Sequence, residues 1–299
     1  MLYLCKVIQY FDKNTIKLLR IPFSFFLMPV FLFALASLNS IHILNAVIAF
    51  VALHIFIYPA SNGYNSYMDN DTESIGGLEK PPMPTKNLFY VSFLFDAIGL
   101  MLCYFISLGF AALIVLYILA SRAYSFKGIR LKKYPFISWI TVSFFQGSYL
   151  FLVLFFCLSN NIKMENFPSY IFLVPSLLIG ATYPLSQVYQ HQQDKASGDI
   201  TLSILLGYKG TFIFSAVLFI IATILFFIQT EILTPNFLHF YWFQAFLFPV
   251  VIYFLWWAFQ VFNNTKYASF KNTMRMNILS SLMLTNYFAL EILIKQCIK

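Results

Sequence analysis

Along this chain apolar residues come in unbroken runs, not at alternating positions. The runs cover about residues 21–38, 41–60, 88–107, 108–121, 136–157, 168–188, 210–229, 240–262 and 276–294. Most approach the 20 residues that an α-helix needs to cross a hydrocarbon core of about 30 Å, whereas a membrane barrel shows alternating segments of about 10. The third and fourth runs form one stretch, Leu88 to Ala120. As a single helix it would reach about 50 Å, too long for one crossing. A tight turn near Gly109 predicts two short spans instead. The pattern predicts an all-α, polytopic membrane protein of about nine transmembrane helices, forming a single domain over residues 1–299.

Composition agrees. Hydrophobic residues make up 60% of the 299 and aromatic residues 20%, while 10% are charged, against about 25% in a soluble domain. A soluble chain of this size must cover itself with polar residues, so a cytosolic enzyme, a disordered tail and a secreted disulfide scaffold are all excluded. Cys5, Cys103, Cys157 and Cys297 stand apart in or beside apolar runs, with no metal or redox spacing. They read as small apolar residues in lipid or helix contacts. The first 20 residues carry Lys6, Lys13, Lys17 and Arg20 but lack a separate apolar core ending in small residues, so no cleavable signal is apparent.

The net charge is +8, and its placement decides its meaning. With the N-terminus inside, the outer segments hold only Lys163, Lys295 and Lys299, and the inner segments hold the other 16 of 19 Lys and Arg. This asymmetry follows the positive-inside rule. It explains the basic balance better than nucleic-acid binding does, and it supports the split of the long run. A multi-pass protein of a bacterial inner membrane is expected, with its N-terminus and its charged loops cytoplasmic.

The acids are just as uneven. Of 11, Asp69, Asp71, Glu73 and Glu79 share one inner loop, and Asp194 and Asp199 share another. Asn65, Asp69 and Glu73 are spaced i, i+4, i+8 after the second run, so a continuing helix would present all three from one face. Like charges at that spacing repel unless a cation lies between them, and oxygen-only ligands suit Mg²⁺. A solvated polar loop is the alternative; the local excess of acid favours the metal. Gln190 and Asp194 repeat the i, i+4 spacing after the sixth run, with Gly198 placed to end that helix and Asp199 just beyond. Two such ligand sets facing each other would hold Mg²⁺ ions that clamp a diphosphate. A third segment is basic, with Arg122, Lys127, Arg130, Lys132 and Lys133 around Tyr124 and Ser125. Inner loops are basic anyway, which suffices for Lys127 and Lys133; a phosphate-binding role for the others rests on the acidic clusters.

These residues resemble the UbiA superfamily of intramembrane prenyltransferases. The family motif N-D-x-x-D-x-x-x-D is matched by N-S-Y-M-D-N-D-T-E, Asn65 to Glu73, with Ser66 and Glu73 as departures. Lys80-Pro81 stands where the family usually has Arg-Pro. The second motif, D-x-x-x-D with a following Gly and L-x-G, is matched from Gln190 to Gly207, with Gln190 in place of the first Asp. The family pattern Y-S-x-P-P-x-R-L-K-R is matched in spacing by Tyr124 to Lys133, and Arg20-Ile-Pro22 is similar to the family's opening. The resemblance implies a helical bundle around a central cavity and Mg²⁺-assisted transfer of a prenyl chain from a prenyl diphosphate to an acceptor, with membrane lipid around it. It implies metal ligands at Asn65, Asp69, Glu73, Gln190, Asp194 and Asp199. Diphosphate contacts are implied at Lys80, Ser125, Arg130 and Lys132. Asp69, Asp194, Lys132 and Tyr124 would carry the chemistry.

The acceptor is not visible, although an aromatic or quinone precursor suits the family; a terpenoid or carotenoid is the alternative. Arg20 would suit a carboxylate acceptor but reads slightly better as an orientation charge, and His191 reads as a polar loop residue. Asp96 and Glu291 lie within apolar runs and are candidates by position alone. A transporter is the competing class, though the runs show no obvious inverted repeat and the acids cluster at one membrane face. Ser66 and Gln190 also allow a catalytically silent relative.

Overall fold

The computed structural model describes residues 10–159, 170–196, 198–233 and 237–297. Cys5, Lys6, Lys163 and Lys299 fall outside the described residues. In chain order the main helices are α1 (Lys13–Leu19), α2 (Met28–Ala36), α3 (Ile43–Asp69), α4 (Lys86–Ile106), α5 (Leu108–Ser125), α6 (Pro135–Leu158), α7 (Leu173–Leu185), α8 (His191–Ala196), α9 (Leu202–Phe227), α10 (Phe237–Asn263) and α11 (Phe270–Cys297). Among the described residues there is no β-strand, only an isolated bridge between Ile75 and Leu78. The chain is an all-α integral membrane protein.

Each of the nine apolar runs contains a helix. Among the described residues eight segments are long and apolar enough to cross a membrane; the sixth run holds α7, which has 13 residues. The long third-and-fourth run does divide, but at Ser107 and not at Gly109. Ser107 is extended, with φ −167° and ψ 155°, and its Oγ accepts from the Phe110 N–H at 3.0 Å. A serine hydroxyl can satisfy one of the N–H groups exposed at a helix start, which glycine cannot, so the cap sets the boundary. Gly109 lies in the first turn of α5.

The chain packs as two units, residues 1–25 with 42–132, and residues 26–41 with 133–299. In the first, α1, α3 and α4 enclose Leu18, Leu19, Ala60, Leu88, Val91 and Phe95. Asp12 caps α1, its carboxylate accepting from the Asn14 and Thr15 N–H groups at 2.9 Å. Helix α3 widens into a π-helical stretch over Val51–Ile57, just before Pro59. Proline has no N–H to donate to the preceding turn, and the wider turn accommodates the break. Near its polar end Gly63 allows close approach, since a Cβ there would lie 2.7 Å from Ser92 Oγ.

In the second unit, Leu185, Val188, Phe212, Val250, Phe254, Trp257, Val261 and Met276 form a buried core. Helices α6 and α7 meet along small polar residues. Ser148 Oγ donates to the Phe172 carbonyl at 2.7 Å, and Ser176 Oγ donates to that of Ser143 at 2.8 Å. A Cβ on Gly147 would lie 2.5 Å from the Ser176 backbone. Lipid gives no hydrophobic drive for helices to associate, so such small-residue seams with interhelical hydrogen bonds hold them.

Candidate active site

The first acidic cluster is built on the last turn of α3. Asn65 and Asp69 are one helical turn apart and share a face. Asn70 then adopts a left-handed conformation, φ 53°, and its N–H donates to the Ser66 carbonyl, which ends the helix. Asparagine tolerates this conformation better than most residues. The end of the helix corrects one expectation: Glu73 lies beyond Asn70, leaves the helical face of Asn65 and Asp69, and is exposed. Asp71 is the second carboxylate near Asp69. Burial, together with the negative charge of Asp69, pushes its carboxyl up to about 6, against the pull of Lys132, Arg20 and Arg130.

The basic segment meets this cluster from the end of α5. Ser125 is buried and its Oγ donates to Asn65 Oδ1 at 2.6 Å. Arg130 takes a left-handed conformation, φ 47°, and turns the chain into a short 3-10 turn, Leu131–Lys133. That turn carries Lys132 Nζ to 2.5 Å from Asp69 Oδ1. Tyr124 lies half-buried in the last turn of α5. The structure thus brings Asn65, Asp69, Ser125 and Lys132 together, with the charge of Arg130 in range of Asp71.

Arg20 is a clamp. It is buried, its guanidinium donating to the Gly76 carbonyl at 2.9 Å and the Asn62 carbonyl at 3.1 Å, which ties the loop after the acidic cluster back to α3. Lys80 sits exposed in that loop, and its carbonyl accepts from Lys17 Nζ at 3.5 Å.

The second cluster lies in the other unit. Helix α7 stops at Leu185, and Gln190 closes a 3-10 turn, Val188–Gln190, that leads into α8. Asp194 is in α8. Gly198, φ 73°, follows its end, and the Asp199 N–H donates to the Asp194 carbonyl at 2.9 Å. Asp199 is buried against that helix end, so Asp194 and Asp199 are neighbours. His191 is not a solvated loop residue. It is buried, its Nε2 pairs with Ser203 Oγ at 2.8 Å, and its ring stacks on Tyr208 at 4.4 Å. Burial, and secondarily the charge of Lys195, push it down to about 4, so the ring is neutral near pH 7 and anchors the motif to the start of α9. There Thr211 Oγ1 donates to the carbonyl of Gly207, the left-handed residue at the kink in α9.

Among the described residues no three His, Cys, Asp or Glu side chains converge. The first cluster therefore offers two carboxylates and an amide oxygen. Such a donor set suits Mg²⁺, which takes one or two carboxylates and completes its shell with waters and phosphate oxygens. Burial is the main cause of the upward shift of Asp71, and a cation would offset the part that Asp69 adds.

The UbiA prenyltransferase family model matches residues 26–281. This chain belongs to the UbiA prenyltransferase family. No curated protein matches the sequence significantly. Solved structures share the fold. A UbiA homologue from Archaeoglobus fulgidus bound to DMAPP and Mg²⁺ aligns with TM-score 0.67 at 17% identity, covering 94% of this chain and 99% of the other. A structure of a UbiA homologue from the same organism bound to GPP and Mg²⁺ gives TM-score 0.66 at 17% identity, with the same coverage. A digeranylgeranylglyceryl phosphate synthase aligns with TM-score 0.61 at 21% identity, over 94% of this chain and 98% of its own.

Two features of the UbiA chain escape motif reading. Arg122, counted among the orientation charges, pairs in the structure with Asp96 of α4. His191 is buried by Tyr208 and Ser203. The only sequence signal for the first was an acid within an apolar run; the second had none.

Proposed function

We propose that this protein transfers a prenyl group from a prenyl diphosphate to an acceptor within the membrane, with Mg²⁺ as cofactor. What carries the reading is the junction of α3 and α5, where Asn65 and Asp69 meet Ser125 and Lys132 within hydrogen-bonding range. Oxygen ligands and cationic donors together fit a diphosphate and its metal, and neither alone would.

Mg²⁺ at Asn65, Asp69 and Asp71 would supply charge neutralisation of the leaving diphosphate. Lys132 and Arg130 carry fixed positive charge to the same place, Tyr124 supplies a hydroxyl donor for departing oxygens, and the Ser125 hydroxyl, donating to Asn65 Oδ1, orients that ligand beside them. The bond between the allylic carbon and the diphosphate oxygen breaks with its electron pair going to oxygen. The acceptor nucleophile donates the pair that forms the new bond and then loses a proton. Exclusion of water protects the electron-poor carbon from hydrolysis. In the family pattern, Gln190, Asp194 and Asp199 would be the second set of oxygen ligands. Glu73, exposed and off the helix face, is the weakest member of the family's ligand pattern in this chain. An aromatic or quinone precursor is the acceptor class we favour. The Lys/Arg asymmetry supports a cytoplasmic side for the motif loops, and a bacterial inner membrane is the location we propose.

The test uses membranes incubated with radiolabelled prenyl diphosphate, Mg²⁺ and a panel of acceptors. A labelled lipid-soluble product, dependent on one acceptor, supports the enzyme. Vesicle uptake without chemistry supports a transporter, and neither outcome leaves a silent relative. Asp69→Ala and Asp194→Ala should each lower Mg²⁺-dependent diphosphate release by about 10²-fold or more while the protein still inserts. Normal turnover in both variants would sink the mechanism.

A further inference from the structure

Asp96 lies in the middle of α4 and Arg122 in the last turn of α5, both within membrane-spanning segments. Their side chains pair directly and are largely buried, with 9% and 12% of their surfaces exposed. An ionisable side chain at such a place is expensive in hydrocarbon and is retained where it does something. Arg122 also donates to the Ala60 carbonyl of α3 at 3.3 Å. Its guanidinium lies over the Tyr64 ring, 4.1 Å from the centroid, and 5.2 Å from that of Phe93. One side chain therefore ties α5 to α4 by charge and to α3 by a hydrogen bond and an aromatic face. Only a guanidinium offers a planar fork and a stacking surface at once.

The position of this knot along the helices matters. Tyr64 precedes the candidate ligand Asn65, and Ser125, one turn beyond Arg122 on α5, donates to Asn65 Oδ1. The last turn of α5 leads into the segment that delivers Arg130 and Lys132. We propose that the Asp96–Arg122 pair is a positioning device. It fixes the end of α5 on α3, so that the Ser125 hydroxyl and the basic turn are held against Asn65 and Asp69 before any diphosphate arrives. Neither residue touches substrate. Groups held in place beforehand lose less freedom on binding, so the effect falls on donor affinity more than on the chemical step.

This inference rests on the prenyl-transfer reading for its kinetic consequence, and its structural part is measured separately. The full-length protein is purified in detergent as wild type, as the double variant Asp96→Leu/Arg122→Met, and as Arg122→Lys. Each is followed by hydrogen–deuterium exchange over residues 122–133, by melting temperature, and by KM and kcat for prenyl diphosphate. Replacing both buried charges with apolar side chains commonly leaves stability unchanged or higher. The double variant should therefore melt near the wild-type temperature, exchange about tenfold faster over residues 124–133, and show KM for the diphosphate raised about tenfold with kcat less affected. Arg122→Lys keeps the charge but loses the fork and the stacking, and it should show the same changes to a smaller degree. Exchange and KM within about twofold of wild type in a variant that folds would overturn the proposal. If the double variant does not fold, Arg122→Lys decides by the same criterion. Faster exchange in a protein whose wild type transfers no prenyl group would refute the enzymatic reading and leave the positioning role standing.

Discussion

At the scale of single residues, Asp69 carries the most. It ends α3 on the face shared with Asn65 and faces the ammonium of Lys132. Ser125→Ala removes the hydroxyl that holds Asn65, and it should raise KM for the diphosphate several-fold while leaving the melting temperature within about 1–2 degrees; an unchanged KM would show that the hydrogen bond orders nothing. Asp71 gives a pH signature. Its folded carboxyl is raised to about 6 by burial and by Asp69, so the fold favours its protonated form. The penalty for its charge is therefore absent below about pH 4, grows as pH rises, and is complete above about pH 6, where it is worth at most about 3 kcal/mol. Asp71→Asn should stabilise the metal-free protein in chelator at pH 7.5 and do so only about a third as much at pH 4.5, as read by melting temperature at the two pH values. Spacing and motif alone single out Asn65, Asp69, Ser125 and Lys132, which the structure brings together. The shared face expected for Glu73 is lost because the i, i+8 relation assumes a continuous helix, and Asn70 ends it.

At the scale of elements, caps and close approaches decide where helices stop and how near they come. Ser107 starts α5, so Ser107→Ala should cost about 1 kcal/mol, seen as a small drop in melting temperature without loss of membrane insertion. Gly147 is less tolerant. A Cβ there runs into the Ser176 backbone and not into a movable side chain. Gly147→Ala should separate α6 from α7 and cost at least about 1–3 kcal/mol, and Gly147→Leu should abolish folded yield in detergent. Wild-type thermal stability in the alanine variant would mean that the seam is loose. The runs of apolar residues announced these helices, because crossing a membrane requires a length and a composition that local sequence alone supplies. Hydropathy locates the break only as near Gly109, two residues from Ser107, because it is blind to which side chain caps a helix.

For the molecule as a whole, charge asymmetry makes a prediction about orientation. In a cysteine-free background, Lys127→Cys should react with an impermeant maleimide in inside-out vesicles, and Asn39→Cys only from the opposite side; the reverse pattern would overturn the orientation. What the sequence by itself determined is the class: an all-α membrane protein of the UbiA prenyltransferase family, with its acidic and basic motifs at the polar ends of spans. Those follow from solvent preference and from residues close in the chain, so they need no folded context. What only the tertiary structure decided is pairing across helices. Lys132 lies 63 residues from Asp69 and Ser125 lies 60 from Asn65, and no local rule tells which oxygen a distant ammonium or hydroxyl will meet. The same holds for Arg122 with Asp96. Each reads alone as an orientation charge or as an oddity in an apolar run, and becomes intelligible only when packing removes both from water and leaves each as the other's partner.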